Sequence, residues 1–246
     1  MAEIPLQLYY EQSKRIVGRA RNGAYVPHLL QKHLAHSIRR EHGIEIPSKL
    51  VLEAIYDISV PLYPDAKEFM AEVGNEKSIV PLVFTQGEVG VNGFQDWKVE
   101  RSGLQSYINP QTLELLGKHK LPFVYGGYDK CTCEVIEPLI SFLEQANIPQ
   151  TLYIDDSVDN IVKVVELFHG FRKPIHAYWL NREHDPIIPH SEPMFVVNSL
   201  SEIDVNAYTG SLAMIDYDGT LVDRKFIRQA LKSSVLTKIE KYLGII

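Results

Sequence analysis

Short apolar runs alternate with stretches of helical periodicity from residue 78 to the C-terminal region. Apolar runs of this length, rich in β-branched residues, are typical of buried strands, and their alternation with helices is typical of a parallel sheet covered on both faces. The pattern therefore predicts an α/β fold. The predicted strands are residues 78–85, 121–127, 151–155, 174–180, 194–199 and 212–216, and the predicted helices between them are 93–103, 133–147 and 158–170.

Helical periodicity without strands marks both ends of the chain. Residues 1–75 predict several helices, among them one over Ser48–Tyr56 and one that begins after Pro64. A last helix is predicted over Arg224–Tyr242. The apolar residues that recur at helical spacing in these segments are Leu29, Leu30, Leu34, Ile227, Leu231 and Ile239.

Composition adds a few exclusions. A chain of 246 residues, 45% hydrophobic, can bury a core without disulfides. The net charge of −6 argues against a nucleic-acid partner, and the basic clusters are interpreted as solvated helix faces. Cys131 and Cys133 are too close for an ordinary bridge and too few for a zinc site. With no signal peptide or membrane-length run, we expect a cytoplasmic protein with no membrane partner.

The segment 212–223, LAMIDYDGTLVD, carries the first candidate chemistry. Its apolar strand leads directly into Asp216, at the carboxyl edge where parallel sheets bind ligands. Asp218 follows two residues later, and Gly219 permits the chain to turn out of the sheet. Two carboxylates so close together repel unless they share a cation or a proton. The alternative is an acidic surface turn, which the preceding buried strand disfavours.

The string DYDGTLVD, residues 216–223, resembles the first motif of the haloacid dehalogenase-like (HAD) superfamily, Asp-x-Asp-Gly-Thr-Leu. In that superfamily the first aspartate is a nucleophile that becomes phosphorylated, and the second is an acid and base. The resemblance therefore implies that Asp216 is the nucleophile. It implies that Asp218 protonates the leaving group and later activates water.

The strand that ends at Thr85 resembles the second HAD motif. The resemblance implies that the Thr85 hydroxyl binds the transferring phosphoryl group together with the backbone N–H groups of Gln86 and Gly87. Hydroxyl and backbone donors suit phosphate oxygens. The helix that follows, with Gln95 and Lys98, is also similar to the superfamily pattern.

A lysine ahead of the fourth motif is the third part of the superfamily pattern. Lys130 stands before a predicted helix, as the resemblance requires, although Cys131 occupies a position where proline is frequent. Its ammonium would neutralise the phosphoryl group and the nucleophile, and would hold an equatorial phosphoryl oxygen together with Thr85. Lys118 and Lys120 are alternatives for the same role.

The acidic segment 151–161, TLYIDDSVDNI, resembles the fourth motif. The resemblance implies that Asp156 is a metal ligand and that Asp155 is either a second ligand or the partner of Lys130. Asp159 and Asn160 would orient the loop. A solvated turn is the alternative interpretation.

Magnesium is the cofactor that this acidic set implies, since Mg²⁺ prefers hard oxygen ligands together with water and phosphate. The expected ligand carboxylates are Asp216, Asp218, Asp156 and Asp155. The backbone carbonyl of Tyr217 is expected to complete the protein ligands.

The motifs occur in a permuted order, because the Asp-x-Asp strand comes last instead of first. The resemblance then implies a Rossmann-like parallel sheet with helices on both faces, plus a small helical cap. We assign residues 1–62 to the cap, 63–216 to the core, whose last strand 212–216 lies in the centre, and 217–246 to a connecting loop and helix. Alternatively, the C-terminal piece pairs with a neighbouring subunit, or begins a truncated second copy.

The expected function is that of a magnesium-dependent phosphatase acting on a small phosphorylated metabolite through an aspartyl-phosphate. A phosphomutase and a dehalogenase are alternatives within the superfamily, although dehalogenation uses neither the second aspartate nor the metal. A non-catalytic binding or regulatory relative is the alternative from another class, since fold does not decide function. The substrate and the oligomeric state stay open.

Overall fold

The computed structural model describes residues 57–87, 89, 90, 94–187 and 193–242, with residue 244 and isolated residues between 35 and 54. Helices and strands are numbered here within these ranges. The helical cap expected over residues 1–62, including the helix expected over 48–56, falls almost entirely outside them. The cap therefore stays a prediction.

Every predicted strand is present, and the expected α/β fold is confirmed. The strands are β1 Val80–Gln86, β2 Val124–Gly127, β3 Gln150–Asp155, β4 Ile175–Leu180, β5 Phe195–Val197 and β6 Ser211–Ile215. The helices are α1 Pro64–Asn75, α2 Phe94–Ser102, α3 Pro110–Lys118, α4 Cys133–Gln145, α5 Val158–Gly170 and α6 Arg224–Tyr242. Short 3-10 helices span Leu104–Tyr107, Leu200–Glu202 and Val205–Tyr208.

The strands form one parallel sheet in the order β2-β1-β6-β3-β4-β5. The last strand in sequence, β6, lies in the centre, where Ile215 is in register with Val83 of β1 and with Ile154 of β3. The predicted central position of the C-terminal strand is confirmed. In this structure β6 pairs within its own chain.

Helices cover both faces of the sheet. The step from β1 to β2 and the step from β3 to β4 run in opposite directions across the sheet, so right-handed crossovers place α2 and α3 on one face and α5 on the other. Helix α4 carries the chain back from β2 to β3 and packs against α5. Among the described residues, no helix has the length and apolar character needed to cross a membrane.

The core lies between these layers and runs through β6, in which all five residues are buried. An apolar strand buried on both faces explains why the pattern of this segment is continuous instead of alternating. Helix α4 contributes Ile136, Leu139, Ile140 and Leu143 to the same core at helical spacing. The site residues therefore lie at or directly after the ends of buried strands.

The turn after β6 returns sharply toward the sheet. The carbonyl of Tyr217 accepts hydrogen bonds from the N–H groups of Leu221 at 3.0 Å and Val222 at 3.2 Å. Val222 then forms an antiparallel bridge with Leu62, and the Tyr63 N–H donates to the Leu221 carbonyl at 2.9 Å. The turn is thereby fixed to the segment that precedes α1.

Candidate active site

The predicted site residues meet at the carboxyl edge of the three central strands. Thr85 lies near the end of β1, Asp216 directly follows β6, and Asp155 ends β3. These strands are neighbours in the order β1-β6-β3. The amide of Asp216 donates to the Ile154 carbonyl at 2.9 Å, which continues the strand pairing up to the acidic residues. Three segments that are far apart in the sequence, at Thr85, Asp155 and Asp216, therefore end side by side at this edge.

Lys130 is the lysine of this site. Its side chain is buried and its ammonium contacts Asp216 Oδ1, Asp155 Oδ2 at 2.6 Å and the Phe84 carbonyl at 3.1 Å. Burial alone would lower the pKa of Lys130, but the two carboxylates outweigh it and raise the pKa above its usual value. The alternatives, Lys118 and Lys120, are exposed.

The ammonium of Lys130 has three N–H donors, and three acceptors surround it. The expectation that Lys130 donates directly to a phosphoryl oxygen is therefore not supported by this arrangement. Its contacts instead fix the carboxylate of Asp216 and balance its charge. Lys130 connects the ends of β1, β3 and β6.

Asp216 has two unlike carboxylate oxygens. Oδ1 accepts from Lys130, whereas Oδ2 is buried and has no hydrogen-bond partner among the described residues. Burial, opposed by Lys130 and reinforced by Asp155 and Asp156, raises the pKa of Asp216 to about 8. An unpaired buried carboxylate oxygen is costly, so this position favours a cation.

Asp155 is already satisfied by the protein. Oδ1 accepts from the Ser157 N–H at 2.8 Å and from Asn160 Nδ2 at 3.3 Å, and Oδ2 accepts from the Tyr153 hydroxyl at 2.6 Å and from Lys130. Of the two expected roles for Asp155, the contacts favour that of partner to Lys130. Asn160 donates to Asp155 and so helps to orient it, while Asp159 is exposed, and the expected role of both residues in orienting the loop stays a prediction.

Asp156 faces the same acidic cluster from the loop after β3. Asp155, Asp156 and Asp216 each place one carboxylate oxygen within 4.8 Å of the others, so the three together could hold a metal ion. Asp156 Oδ1 accepts from Arg224 Nη2 at 3.0 Å. Burial, opposed by Arg224 and reinforced by Asp155, raises the pKa of Asp156 to about 6. Like charges this close are stabilised by a divalent cation.

The chemistry of these donors fits Mg²⁺, because they are hard carboxylate oxygens and one of them is buried without a partner. Two of the expected ligands do not fit. The side chain of Asp218 lies outside the acidic cluster, because its carboxylate is bound by Lys98. The carbonyl of Tyr217 accepts two backbone N–H groups of the turn, so both of its lone pairs are used.

Asp218 and Lys98 form a second ion pair beside the cluster. Lys98 lies on α2, and its backbone carbonyl accepts from the Tyr217 hydroxyl at 2.7 Å, which fixes the helix to the turn. Burial opposes ionisation of Asp218, but Lys98 and Arg224 outweigh it, so the pKa of Asp218 lies below its usual value. The pair places a carboxylate and an ammonium side by side next to the acidic cluster.

Thr85 presents a buried hydroxyl that has no hydrogen-bond partner among the described residues. This unpaired hydroxyl can donate a hydrogen bond to a phosphate oxygen. Gly126 lets β2 approach closely, because a Cβ there would lie 1.9 Å from the Thr85 carbonyl. The Gly87 N–H donates to the Gly127 carbonyl at 2.8 Å, so the expected role of Gly87 as a phosphate donor is not supported. The role of the Gln86 N–H stays a prediction.

Comparison of the chain with models of known families, with curated proteins and with solved structures finds no match. Membership of the HAD-like superfamily therefore rests on the motifs alone and stays an expectation. The site geometry stands independently of that resemblance, because it follows from the contacts of Asp216, Lys130, Asp155 and Asp156.

Two cations of the site had no role in the sequence reasoning. The sequence pattern places Lys98 in a helix similar to that of the HAD superfamily but assigns it no contact. It places Arg224 at the start of the last helix and assigns it no role in the site. A signal existed for Arg224, since it directly follows the acidic motif at Asp223. For Lys98 the signal is weaker, because its partner Asp218 lies 120 residues away.

Proposed function

We propose that this chain is a magnesium-dependent phosphatase that hydrolyses a small phosphate monoester through an aspartyl-phosphate on Asp216. One observation supports this function above the rest. Asp216 Oδ1 accepts a hydrogen bond from Lys130, whereas Asp216 Oδ2 is buried and unpaired within an acidic cluster. A structural aspartate would have both oxygens satisfied, as Asp155 does.

In the first step, a carboxylate oxygen of Asp216 attacks phosphorus as the bond from phosphorus to the leaving oxygen breaks. The leaving oxygen takes a proton from the Asp218–Lys98 pair and departs as an alcohol. Thr85 Oγ1 donates to an equatorial phosphoryl oxygen. Lys130 holds the attacking carboxylate in place and offsets its charge.

In the second step, water attacks the phosphorus of the aspartyl-phosphate. Asp218 removes the proton from this water, and the bond between phosphorus and Asp216 breaks to release inorganic phosphate. The ionised state that Lys98 favours for Asp218 suits this role as a base. The carboxylate of Asp216 and the proton on the Asp218–Lys98 pair are then restored.

The residues that would hold Mg²⁺ are Asp216, through its unpaired oxygen, and Asp156. When bound, Mg²⁺ would neutralise the crowded carboxylates and polarise the phosphoryl oxygens. Asp155 binds Lys130, and Lys130 in turn binds Asp216, so Asp155 would act through Lys130 and not as a metal ligand.

The test is hydrolysis of p-nitrophenyl phosphate with Mg²⁺, with chelator, and by variants. We expect Asp216→Asn to lower kcat by roughly 1000-fold or more, because the nucleophile is removed. Asp204→Asn is the matched control, since Asp204 caps a short 3-10 helix ahead of β6. After acid quench, the wild type should carry a phosphoryl group on the peptide that contains Asp216.

Several outcomes would contradict the proposal. Full activity of folded Asp216→Asn would remove Asp216 from the role of nucleophile. Activity unchanged by chelator would remove the metal. Release of halide from haloacids without phosphatase activity would favour a dehalogenase, and phosphoryl transfer to a second alcohol instead of water would favour a phosphomutase.

A further inference from the structure

Arg224 stands out among the cations of the site because it faces solvent. Lys98 and Lys130 are buried, with side chains 4% and 1% exposed, whereas the side chain of Arg224 is 46% exposed. Both lysines are engaged in buried ion pairs with carboxylates. Arg224 is therefore the cation that a molecule entering from solvent meets first among the described residues of the site.

Two contacts fix the position of the guanidinium. Nη2 donates to Asp156 Oδ1 at 3.0 Å, and Nε donates to the backbone carbonyl of Asp218 at 2.8 Å. The first contact joins Arg224 to the acidic cluster and the second to the acid and base of the proposed reaction. The described residues supply no acceptor for Nη1. A planar guanidinium fixed on one edge presents its other N–H groups as a rigid fork.

The contact with Asp156 occupies one carboxylate oxygen and leaves the other without a contact to Arg224. Arg224 uses Oδ1, while Oδ2 lies over Gly219, where a Cβ would come within 2.0 Å of it. A cation on Oδ2 and the guanidinium on Oδ1 are therefore compatible. The guanidinium can stay in place throughout the proposed reaction.

The formal charges of the site leave room for an additional anion. Asp155, Asp156, Asp216 and Asp218 are balanced by Lys98, Lys130 and Arg224 to within one charge, and a bound divalent cation makes the site positive. Arg224 is the exposed part of that positive charge. It lies beside Asp218, where the alcohol leaves.

From these contacts we propose that Arg224 is a substrate-binding residue that holds a second acidic group on the leaving-group side of the ester. The substrate class is then a phosphate monoester whose alcohol carries a carboxylate or a second phosphate close to the ester oxygen. This proposal rests on the proposed phosphatase function. A guanidinium in a fixed position binds either a carboxylate or a phosphate through paired, charge-assisted hydrogen bonds.

The experiment compares propyl phosphate, carboxyethyl phosphate and propanediol bisphosphate, three esters of matched chain length, with Mg²⁺. We expect the wild type to prefer the better of the two acidic esters over propyl phosphate by about tenfold or more in kcat/KM. The ester that gains more identifies the anion as carboxylate or phosphate. Arg224→Gln should abolish the preference, so that the ratio of kcat/KM between the acidic ester and propyl phosphate falls to about one, whatever its effect on propyl phosphate hydrolysis itself.

Two further variants separate charge from geometry. Arg224→Lys keeps the charge without the fork and should retain part of the preference. Lys225→Gln is the control, because Lys225 is the next residue of α6, is exposed and pairs with Glu183 at 2.7 Å. It should behave as the wild type.

Either of two results would overturn the proposal. One is a wild type without preference for either acidic ester. The other is an Arg224→Gln variant that loses all three esters equally, which would mean that Arg224 positions Asp156 only.

A binding measurement separates this inference from the proposed function. Calorimetric titration with carboxyethyl phosphonate and propyl phosphonate requires no turnover. If the wild type cleaves none of the esters but binds the acidic phosphonate more tightly through Arg224, the phosphatase proposal fails and the anion site stands. If it cleaves all three esters and binds both phosphonates equally, the anion site fails alone.

Discussion

At the residue scale, the position of Asp156 depends on a neighbour without a side chain. Gly219 has φ +91°, and a Cβ on it would lie 2.0 Å from Asp156 Oδ2. A backbone conformation with positive φ also disfavours other residues. The glycine of the turn therefore has two functions: it lets the chain leave β6, and it leaves space for a carboxylate of the acidic cluster.

Gly219→Ala should weaken metal binding, because its methyl group would overlap the Asp156 carboxylate and displace it from its present position. We expect Mn²⁺ affinity, measured by calorimetry without substrate, to fall about tenfold or more. The positive φ should also cost about 1 kcal/mol of unfolding free energy.

Gly210→Ala is the matched control for the glycine experiment. Gly210 also has a positive φ, +78°, but a Cβ there would meet nothing within 4 Å. It should lose a similar unfolding free energy and keep its Mn²⁺ affinity. Equal metal affinity in the two variants would show that Gly219 does not shape the cluster.

The sequence predicted that Asp155, Asp156 and Asp216 belong to one acidic group because they stand at the ends of apolar strands, whereas the expected place of Asp218 in that group did not follow. It left Lys130 as one of three candidate lysines, since burial decides among them and burial at 130 depends on the packing of three strands. Arg224 meets Asp156 across 68 residues. Such contacts depend on side-chain directions between elements that no local pattern specifies.

At the element scale, Asp65 ties α1 to the far side of the sheet. Its carboxylate accepts from both terminal nitrogens of Arg182, at 2.9 and 3.0 Å, from Ser199 Oγ at 2.9 Å and from the Leu200 N–H at 3.0 Å. Arg182 also donates to the Thr220 carbonyl at 3.0 Å. One carboxylate therefore connects α1, the end of β4, the turn after β5 and the turn after β6.

Asp65→Asn should destabilise the fold in a manner that depends on pH. Burial opposes ionisation of Asp65, but the hydrogen bonds from Arg182, Leu200 and Ser199 outweigh it, so its pKa lies below the usual 3.8. A carboxylate with a lowered folded pKa stabilises the protein above its unfolded pKa, and this stabilisation is lost as the pH falls through the folded value. We expect a loss of about 1.5–3 kcal/mol near pH 7 by denaturant unfolding.

The difference between wild type and Asp65→Asn should narrow below about pH 4, where the wild-type carboxylate also becomes neutral. Glu68→Gln is the control, because Glu68 is an exposed residue of the same helix. It should change the unfolding free energy by less than about 0.5 kcal/mol. A deficit of the same size at pH 3 and pH 7 would contradict a role for the charge.

Element bounds followed from the sequence where periodicity was strong. Helices α5 and α6 lie where predicted, at Val158–Gly170 and Arg224–Tyr242. Strand β2 begins at Val124 instead of residue 121, because the turn at Lys120, with φ 57°, delays its entry into the sheet. Pro81 is tolerated in β1, since β2 pairs with β1 only from Val83 onward. Helix α3 was missed, although Asn109 caps it and Pro110 begins it.

At the scale of the whole molecule, the order of the sheet explains how segments far apart in the chain build one site. The strands that carry Thr85 and Asp155, β1 and β3, do not pair with each other, and β6 lies between them. The resemblance of residues 216–223 to the first HAD motif implied this central position, and the continuous apolar run before Asp216 predicted a buried strand. The sequence could not place the helices expected over residues 1–62, since helical periodicity alone does not specify which surface a helix covers.

Removal of residues 206–246 should therefore leave two half-sheets instead of a smaller domain. One half would consist of β1 and β2, and the other of β3, β4 and β5. Each half would expose the strand edge that β6 now pairs, together with the apolar surface that Leu212 and Met214 now cover. Unpaired apolar edges aggregate. We expect residues 1–205 to sediment as aggregates without phosphatase activity, and co-expression with 206–246 to restore a soluble, active complex.

Asp216→Asn in the second fragment is the control, since it should restore solubility without activity. A soluble 1–205 monomer with protected amide hydrogens in β1 and β3 would show that β6 is not required to join the halves.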